Sequence, residues 1–461
     1  MNKNTSAVPA PVLAAVLATG LLSFAGVIVE TAMNITFPTL MREFDVSTST
    51  VQWMTSIYLL VVAIIVPLSA IFKRSYPLKH LFLTANLAFI LGILIDALAP
   101  NFWFLLVGRA IQGLGTGIAL PLMFNIILEQ VPKERVGVMM GLANMITGIA
   151  PAVGPTFGGV VVDSLGWHFV FYFLVPLLML SLFLGLWGIR QVSQVQRAPI
   201  DWPSLLLIAV FFSGLMIGFS NLATKPFLSL EVAGSLALGL LGMVGLSWRS
   251  LSIQKPILNL RLFQNGRFVG HVLGFFLTQI ILLGFAFLLP NYIQLVNHNT
   301  ALLAGMLVLP AGVAGAICGP LGGRMIDRVG ARRPIMLGIS ACWVALLIFT
   351  LAARHLANPF IATVYVLYMA GMGTCMGSVM TSALRTLADN QQTEGNAILN
   401  TLQQFAGAVG TSLSAVVVAQ SQAHLAGSQA YTTAVGTQNA FIMLTVFATV
   451  IWFSYFKVVK D

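Results

Sequence analysis

The chain has 461 residues, of which 58% are hydrophobic and only 8% are charged, with a mean hydropathy of +0.93. This composition is far more apolar than that of a soluble domain, so it excludes a soluble protein and predicts a polytopic membrane protein. A net charge of +10 would suggest a nucleic-acid partner in a soluble protein, but here the basic residues lie in short loops between apolar stretches. We therefore expect no nucleic-acid partner, and the lipid bilayer as the surrounding medium.

The apolar stretches predict fourteen membrane-spanning helices. A helix that crosses a bilayer needs about 20 predominantly apolar residues. Polar or proline-rich breaks separate stretches of this length near 12–37, 49–72, 80–99, 102–128, 136–162, 169–189, 204–223, 229–248, 268–292, 300–325, 334–353, 359–383, 395–420 and 438–456. The first carries Glu30 and leads directly into further spans, so we expect a transmembrane helix and not a cleaved signal peptide.

The basic residues predict which side of the membrane each loop faces. With the N-terminus in the cytoplasm, nineteen of the twenty-three lysines and arginines fall at the termini or in inner loops. Arg42, Lys225 and Arg354 fall outside, and Arg109 lies within the fourth span. Because cytoplasmic loops carry an excess of basic residues, we expect a multi-pass plasma-membrane protein with both termini in the cytoplasm.

The chain repeats itself at a nearly constant offset. Three pairs of similar segments begin at Pro67 and Pro320 (253 positions apart), at Gly113 and Gly371 (258 apart), and at Ala152 and Ala408 (256 apart). Two related six-helix halves explain these matches, and the seventh and eighth spans are then an inserted pair. Such repeats are typical of secondary transporters, whose substrate site lies near the midplane between two rocking bundles.

This organisation predicts three regions. They are a six-helix N-terminal bundle over 1–190, a linker with the inserted helix pair over 191–261, and a six-helix C-terminal bundle over 262–461. The predicted alignment pairs Arg109 with Leu367, and it pairs Pro155, Gly158 and Gly159 with Thr411, Ser414 and Ala415. We therefore expect the buried charge and the kinked face described next in the N-terminal half alone.

The fifth span contains a face of small residues with a proline beside it. Ala150, Gly154 and Gly158 recur every four residues and so share one helix face, while Pro155 removes a backbone donor. Small residues at this spacing let another helix approach closely, and ordinary helix packing explains a lone motif of this kind. With Gly159 the segment reads GPTFGG, which resembles the antiporter motif of drug:proton antiporters in the major facilitator superfamily. We expect this face to hold the closed halves together and to limit leak.

The fourth span carries Arg109 about eight residues, or roughly 12 Å, from its outer end. Its segment LLVGRAIQGLGTG resembles the fourth-helix motif of the same superfamily, which implies a role for the arginine in proton transfer. The alternative is that the guanidinium hydrogen-bonds the backbone of neighbouring helices. No GK[ST] follows these glycines, so we expect no nucleotide-binding loop.

The first span carries Glu30 at a similar depth, about eight residues before Pro38. Intramembrane acids usually face a cavity, a partner or a proton path, so we predict that Glu30 exchanges a proton. The alternative is a glutamate neutralised in a helix contact. Direct pairing with Arg109 is left open.

Further polar and aromatic residues on the first two spans are candidates for a cavity that accepts amphipathic molecules. With Glu30 they are Asn34, Gln52, Trp53 and Tyr58, although each alone is more often an interhelical hydrogen bond or an interface anchor. We expect the acids nearer the span ends to be interfacial; these are Asp96, Glu129, Asp163 and Glu231.

The loop after the tenth span resembles the cytoplasmic loop motif of the superfamily, with Gly323, Asp327, Arg328, Gly330, Arg332 and Arg333. The loop after the second span has Arg74 where that aspartate would align. Other departures from the family pattern are Val29 in place of a first-helix aspartate, and His168 and Leu174 in the segment after the antiporter motif.

The resemblance covers nearly the whole chain and implies the fourteen-helix drug:proton antiporter family in a bacterial cell membrane. It implies export of lipophilic cationic or zwitterionic compounds by alternating access, as a functional monomer, with the proton gradient as energy source and no cofactor. The three cysteines show no zinc-type spacing, so we predict neither a metal nor a disulfide.

Three other functions stay open. One is a dedicated exporter of one metabolite, peptide or lipid. A non-transporting receptor or scaffold would need larger soluble domains, since the longest predicted stretch outside the spans runs only from Ser421 to Thr437. An enzyme is disfavoured because no nucleophile, base and orienting acid can be assembled from these motifs.

Overall fold

The computed structural model describes residues 8–132, 135–192, 194–195, 201–222, 225–254, 256–388 and 391–459. Within this part of the chain the secondary structure is helical, without strands. The long helices are α1 (Ala10–Glu43), α2 (Thr48–Leu68), α3 (Leu78–Ala97), α4 (Phe102–Gln130), α5 (Val136–Leu165), α6 (His168–Gly188), α7 (Trp202–Asn221), α8 (Leu230–Ser252), α9 (Gly266–Leu295), α10 (Ala301–Val329), α11 (Arg332–Ala352), α12 (Asn358–Arg385), α13 (Gln392–His424) and α14 (Gln429–Val458).

The fourteen-helix prediction is confirmed. Thirteen of the helices are long and apolar enough to cross a membrane by their described residues alone, and α5 is 30 residues long. Because the helices alternate in direction, α1 begins and α14 ends at the same end of the bundle, which we call the terminal end. The opposite end, which we call the distal end, holds the connections at 44–47, 98–101, 166–167, 296–300 and 425–428.

The last connection is shorter than predicted, and the expected loop from Ser421 to Thr437 is wrong. Helix α13 continues to His424 and α14 begins at Gln429. The hydroxyl of Ser428 caps α14 by accepting a hydrogen bond from the backbone N–H of Tyr431 at 3.2 Å. The polar start of α14 has no span-like hydropathy. Tertiary contacts bury Thr432 and Thr433, which are 3% and 1% exposed, whereas Tyr431 is 53% exposed.

Two helix pairs form the main contact between the halves. Helix α5 of the N-terminal half packs along α10, and α2 packs along α13. The inserted helices α7 and α8 pack on each other, and α7 also contacts α2 and α13. The inserted pair therefore lies beside one of the two seams between the halves. The domain bounds given above remain a prediction.

The structure shifts the alignment of the fourth and twelfth spans by two residues. A Cβ on Gly115 would lie 2.6 Å from the carbonyl oxygen of Ala85 on α3, and one on Gly371 would lie 2.5 Å from that of Gly338 on α11. Gly115 and Gly371 thus occupy matching places in the two halves, 256 residues apart. This offset equals the one between α5 and α13.

The alignment of Arg109 with Leu367 is therefore wrong. On the 256-residue offset Arg109 corresponds to Tyr365 and Gln112 to Tyr368. Burial supports this assignment, because Arg109 and Tyr365 are 0% and 7% exposed whereas Leu367 is 40% exposed on the outer surface of the bundle.

Candidate functional site

Arg109 lies at the centre of the N-terminal bundle and is completely buried. Its Nε donates to the carbonyl oxygen of Met54 on α2 at 2.8 Å, and one terminal nitrogen donates to the side-chain oxygen of Gln112 at 2.7 Å. The guanidinium carbon lies 4.3 Å from the centre of the Tyr58 ring, in cation–π contact. The Tyr58 hydroxyl is held by Thr116, to whose oxygen it donates at 3.0 Å. The arginine thus bonds a neighbouring helix backbone, as the structural alternative predicted, and also joins a buried polar chain.

That chain continues to Asp96, which the sequence analysis placed at the membrane interface. Its depth in the membrane stays a prediction, but the structure shows that protein covers Asp96 completely, since it is 0% exposed. The side-chain nitrogen of Gln112 donates to Asp96 Oδ2 at 2.7 Å. Asp96 lies one residue before the end of α3, but α3 and α4 approach so closely there that the carboxylate is covered by protein. The sequence offered Gln112 as a signal, since a polar residue three positions after a buried arginine lies on the same helix face.

Glu30 is not part of the hydrogen-bonded group formed by Arg109, Gln112 and Asp96. It is half-buried on α1, and although Glu30 and Arg109 are both described, they form no ion pair within 4.0 Å. One turn earlier, a Cβ on Gly26 would lie 2.9 Å from the Tyr58 hydroxyl and overlap Thr116. Because residues i and i+4 share a helix face, Glu30 is on the side of α1 that faces Tyr58 and Arg109.

Asn34, the next candidate on α1, is 1% exposed. Its side-chain oxygen accepts a hydrogen bond from Thr55 of α2 at 2.8 Å, while its nitrogen has no hydrogen-bond partner among the described residues. The structure therefore brings Glu30, Asn34, Tyr58 and Arg109 to the facing sides of α1, α2 and α4. Their role in binding a substrate remains a prediction.

The other two cavity candidates contact the inserted helix α7. Gln52 is 0% exposed, and its side-chain nitrogen donates to the Ser220 hydroxyl at 3.3 Å. Trp53 Nε1 donates to the same hydroxyl at 2.8 Å. The Gln52 oxygen accepts from Ser56 and, at 2.8 Å, from Ser412 of α13. Gln52 thus uses its polar atoms to join both halves and α7 in this conformation.

The antiporter-motif face divides between two neighbours. A Cβ on Gly158 would lie 2.8 Å from the carbonyl oxygen of Ala32 on α1, and one on Gly154 would overlap Thr31 of the same helix. Gly159 instead faces α10 of the other half, where a Cβ would overlap the backbone of Ala301. The expectation that the whole face lies between the halves is therefore corrected, since the Gly154 and Gly158 side packs within the N-terminal half.

Near this point α5 meets α10 across the seam. The hydroxyl of Thr156 donates to the carbonyl oxygen of Gly305 at 2.9 Å, and a Cβ on Gly305 would lie 2.5 Å from the carbonyl oxygen of Pro155. Ala150, one turn before Gly154, is completely buried.

The distal end of this seam carries a carboxylate that sequence reasoning treated as interfacial. Asp163 Oδ2 accepts a hydrogen bond from the backbone N–H of Leu302 in the first turn of α10 at 2.7 Å. A negative charge at a helix N-terminus is stabilised by the free N–H groups and the helix dipole. A second link at this end runs from the Gln294 side chain to the carbonyl oxygen of Ile35, at 2.9 Å. Asp163 therefore joins the two halves.

The loop motif after α10 is partly described. Gly330 ends α10 with φ +80°, a left-handed conformation that favours glycine, and its N–H donates to the carbonyl oxygen of Ile326 at 3.1 Å. The Arg332 guanidinium lies 5.3 Å from the Phe456 ring. Gly323, Arg328 and Arg333 are exposed, and the side chain of Asp327 lies outside the described part.

Comparison with known proteins decides the family. A family model described as Major Facilitator Superfamily matches residues 19–411. The chain belongs to this superfamily. The fold agrees, since the D-xylose-proton symporter covers 98% of both chains with a TM-score of 0.69 at 14% identity. A bacterial homologue of the human lysosomal transporter Spinster gives a TM-score of 0.68, covering 96% of both chains at 15% identity.

This member of the superfamily is similar over most of its length to curated relatives named for drug resistance. Lincomycin resistance protein LmrB of Bacillus subtilis is 35% identical over 89% of this chain and 86% of its own. The protein of the same name in Listeria monocytogenes is 33% identical over 96% and 95%. Multidrug resistance protein B homolog of Mycobacterium tuberculosis is 27% identical over 87% and 76%. The resemblance to drug exporters of the superfamily is confirmed, and the chain is a multi-pass membrane transporter and not an enzyme.

Proposed function

We propose that this superfamily member exports lipophilic cationic or zwitterionic drugs across the bacterial cell membrane in exchange for protons. The observation that carries the proposal is Glu30, a half-buried carboxylate on the side of α1 that faces Arg109 and without an ion pair to it. An unpaired acid at this depth favours either a bound proton or a bound cation. The drug-resistance names of the relatives support the substrate class.

In the proposed cycle, protons from outside neutralise Glu30, release a cation held there, and bias the equilibrium between conformations. Only a difference in affinity between two conformations can drive such a change. The proton gradient is then the energy source, with no cofactor. We further propose that both termini are cytoplasmic and that the monomer is the functional unit.

The deciding experiment is transport in proteoliposomes with an imposed proton gradient and a lipophilic fluorescent cation. We expect gradient-dependent cation movement by the wild type and its loss in Glu30→Gln. A matched control is Glu231→Gln, because that acid is exposed at the start of α8 and pairs with Lys225 at 3.5 Å. If Glu30→Gln retains uphill transport with an unchanged pH dependence, Glu30 is not the coupling acid.

A dedicated exporter is the second candidate, since the relatives at 33–35% identity are named for a single drug. Lincomycin belongs in the same assay for this reason. Movement of lincomycin but of none of several lipophilic cations would favour the dedicated exporter, whereas movement of several unrelated compounds would favour multidrug export.

A further inference from the structure

The buried carboxylate Asp96 has no role in the family motifs described above. We propose that Asp96 is the counter-charge of Arg109, that Gln112 joins the two, and that this pairing leaves Glu30 free to exchange protons and cations. Asp96 is then a positioning residue that acts through Arg109. The consequence for exchange rests on the proposed function, whereas the pairing itself does not.

The hydrogen bonds that connect Arg109, Gln112 and Asp96 all run in one direction, from donor to acceptor. An amide side chain has one acceptor oxygen and one donor nitrogen. In Gln112 the oxygen accepts from Arg109 at 2.7 Å and the nitrogen donates to Asp96 at 2.7 Å. Each donor in this series therefore meets an acceptor, and the positive and negative groups lie at its two ends. The linkage runs from α4 to α3 and does not involve α1, which carries Glu30.

The buried positive charge of Arg109 needs a negative counter-charge. Arginine stays protonated in proteins, and a fully buried charge without a partner costs several kcal/mol. Asp96, Arg109 and Gln112 are each 0% exposed, so bulk water does not solvate the guanidinium. Among the described residues, Asp96 is the carboxylate that hydrogen bonds connect to Arg109. Asp96 and Arg109 form no direct ion pair within 4.0 Å, so the carboxylate balances the guanidinium through Gln112.

The packing of α3 on α4 keeps this arrangement in place. A Cβ on Gly92 would lie 2.6 Å from the carbonyl oxygen of Gly108 and 2.9 Å from the backbone nitrogen of Gln112. A Cβ on Gly108 would overlap Asp96 Oδ1, and the Asp96 Cγ would lie 2.7 Å from it. The carboxylate occupies the space that the missing Gly108 side chain leaves, so a larger residue at position 96 or 108 would require rearrangement.

The charged or titratable side chains on the side of α1 that carries Glu30 are Arg109 of α4 and Tyr58 of α2. The other described titratable or charged side chains on helices that pack on α1 have partners elsewhere or are exposed. Asp163 binds Leu302, His168 stacks on Trp167, His271 binds Ser382, Tyr292 binds Leu356, Glu129 pairs with Lys73 and Tyr172 binds Ala97, while Arg267, Arg324 and Arg328 are exposed at the terminal end. The electrostatic field at Glu30 therefore depends on whether the charge of Arg109 is balanced by Asp96.

A stability cycle tests the pairing without reference to transport. Thermal unfolding of the purified protein in detergent is compared for Asp96→Asn, Arg109→Gln and the double variant, and for the matching cycle of Glu30→Gln with Arg109→Gln. Removing one member of a buried pair destabilises, and removing both relieves much of the loss. We expect the Asp96 double variant to unfold at a higher temperature than the sum of its single effects predicts. Additive effects for Asp96, or a larger coupling for Glu30, would overturn the pairing.

The pH profile of cation export tests the consequence for Glu30. In Asp96→Asn the released Arg109 attracts the charged form of Glu30, so we expect half-maximal exchange to move to lower pH by about 1 unit or more. Asp96→Glu keeps the charge but crowds Gly108, so we expect reduced stability with an unchanged pH profile. A shift in Asp96→Glu but not in Asp96→Asn would refute the counter-charge role.

The two readouts separate this inference from the proposed function. If the wild type shows no proton-driven transport while the Asp96 and Arg109 stability cycle shows coupling, the proposed function fails and the pairing stands. If transport is proton-driven and both the stability cycle and the pH profile of Asp96→Asn show no effect, the pairing fails and the proposed function stands.

Discussion

The two halves of the molecule place opposite chemistry at matching positions. The offset is 252 residues for the first helices, 253 for the second and third, and 256 for the fourth. The pairs are then Glu30 with Leu282, Tyr58 with Ala311, Asp96 with Phe349, Arg109 with Tyr365 and Gln112 with Tyr368. Close contacts support the match of the first helices, because Gly158 packs on Ala32 in one half and Ser414 packs on Gly284 in the other. One half thus has a hydrogen-bonded chain of charged and amide groups where its repeat has hydrophobic and aromatic side chains.

The aromatic cluster of the C-terminal half is as closely packed as the polar chain is hydrogen-bonded. The rings of Phe285 and Tyr368 have centroids 4.3 Å apart, and Phe285 lies 5.3 Å from Phe349. Aromatic pairs of this kind contribute about 0.5–1.5 kcal/mol each beyond area burial. Such a cluster has no charge to gain or lose, whereas every polar group in the N-terminal chain depends on its neighbour. The proposed proton coupling therefore depends on groups that, at these matching positions, only the N-terminal half has.

The largest effect is expected from copying the C-terminal residue into the N-terminal half. Arg109→Tyr leaves Asp96 as an unpaired buried carboxylate, so we expect a loss of stability of about 3–5 kcal/mol and no proton-driven transport. Unfolding in detergent and transport in proteoliposomes measure both. The control is Tyr368→Phe at the position of Gln112, because the Tyr368 hydroxyl is buried without a described partner and its removal is expected to be near neutral. A stable, active Arg109→Tyr would break the comparison.

A smaller effect is expected at the glycine face of α5, where the C-terminal half has Ser414 and Ala415 in place of Gly158 and Gly159. Gly158→Leu forces α5 away from the Ala32 backbone, and we expect a cost of about 1–3 kcal/mol and reduced transport without loss of membrane insertion. Membrane fractionation and the transport assay measure the two. Gly266→Leu is the control, because no atom lies within 4 Å of a Cβ built there. Full transport by Gly158→Leu would show that this close approach is dispensable.

A modest shift is expected where the halves meet at the distal end. Asp163→Asn removes the charge on the first turn of α10, worth about 0.3–1 kcal/mol, so we expect the distal end to open about two- to fivefold more often. A cysteine introduced at Thr156, in a variant with Cys318, Cys342 and Cys375 replaced by alanine, reports this opening through its labelling rate. Glu231→Gln should leave the rate unchanged. A slower rate in Asp163→Asn would contradict the proposed stabilising role of this contact.

The smallest effect concerns the inserted pair, which has no counterpart in either half. Partial desolvation acts to raise the pKa of Asp201, but hydrogen bonds from Arg249, at 2.6 Å and 3.0 Å, and from Ser204 outweigh it and hold the pKa below its ordinary value. The stability from this contact is therefore complete above the ordinary aspartate pKa, about 3.9, and is lost as the pH falls through the lowered value. We expect the unfolding temperature of the wild type to drop more than that of Asp201→Asn below about pH 4. Parallel curves would show that this ion pair does not contribute.

The sequence predicted the helices better than the contacts between them. Hydropathy and loop charge are local properties, so the fourteen spans, the repeat and the depth of Glu30 and Arg109 follow from counting residues. The division of the antiporter face does not, because Gly158 and Gly159 lie about 100° apart on one helix and contact different neighbours. The alignment of Gly113 with Gly371 is wrong by two residues because two glycine-rich segments can be aligned in more than one register. Only the helix that each glycine contacts selects the correct register.

By itself, the sequence determined an all-helical membrane protein of two related halves, with an acid and an arginine at similar depth in the first half. The tertiary structure decided which partner each polar group has. Asp96 lies near a helix end in sequence, and only the close packing of α3 on α4 buries it beside Gln112 and makes it a partner for Arg109. Hydropathy reports how far a residue lies along its helix, whereas the neighbour it faces depends on how separate helices pack, which no local pattern records.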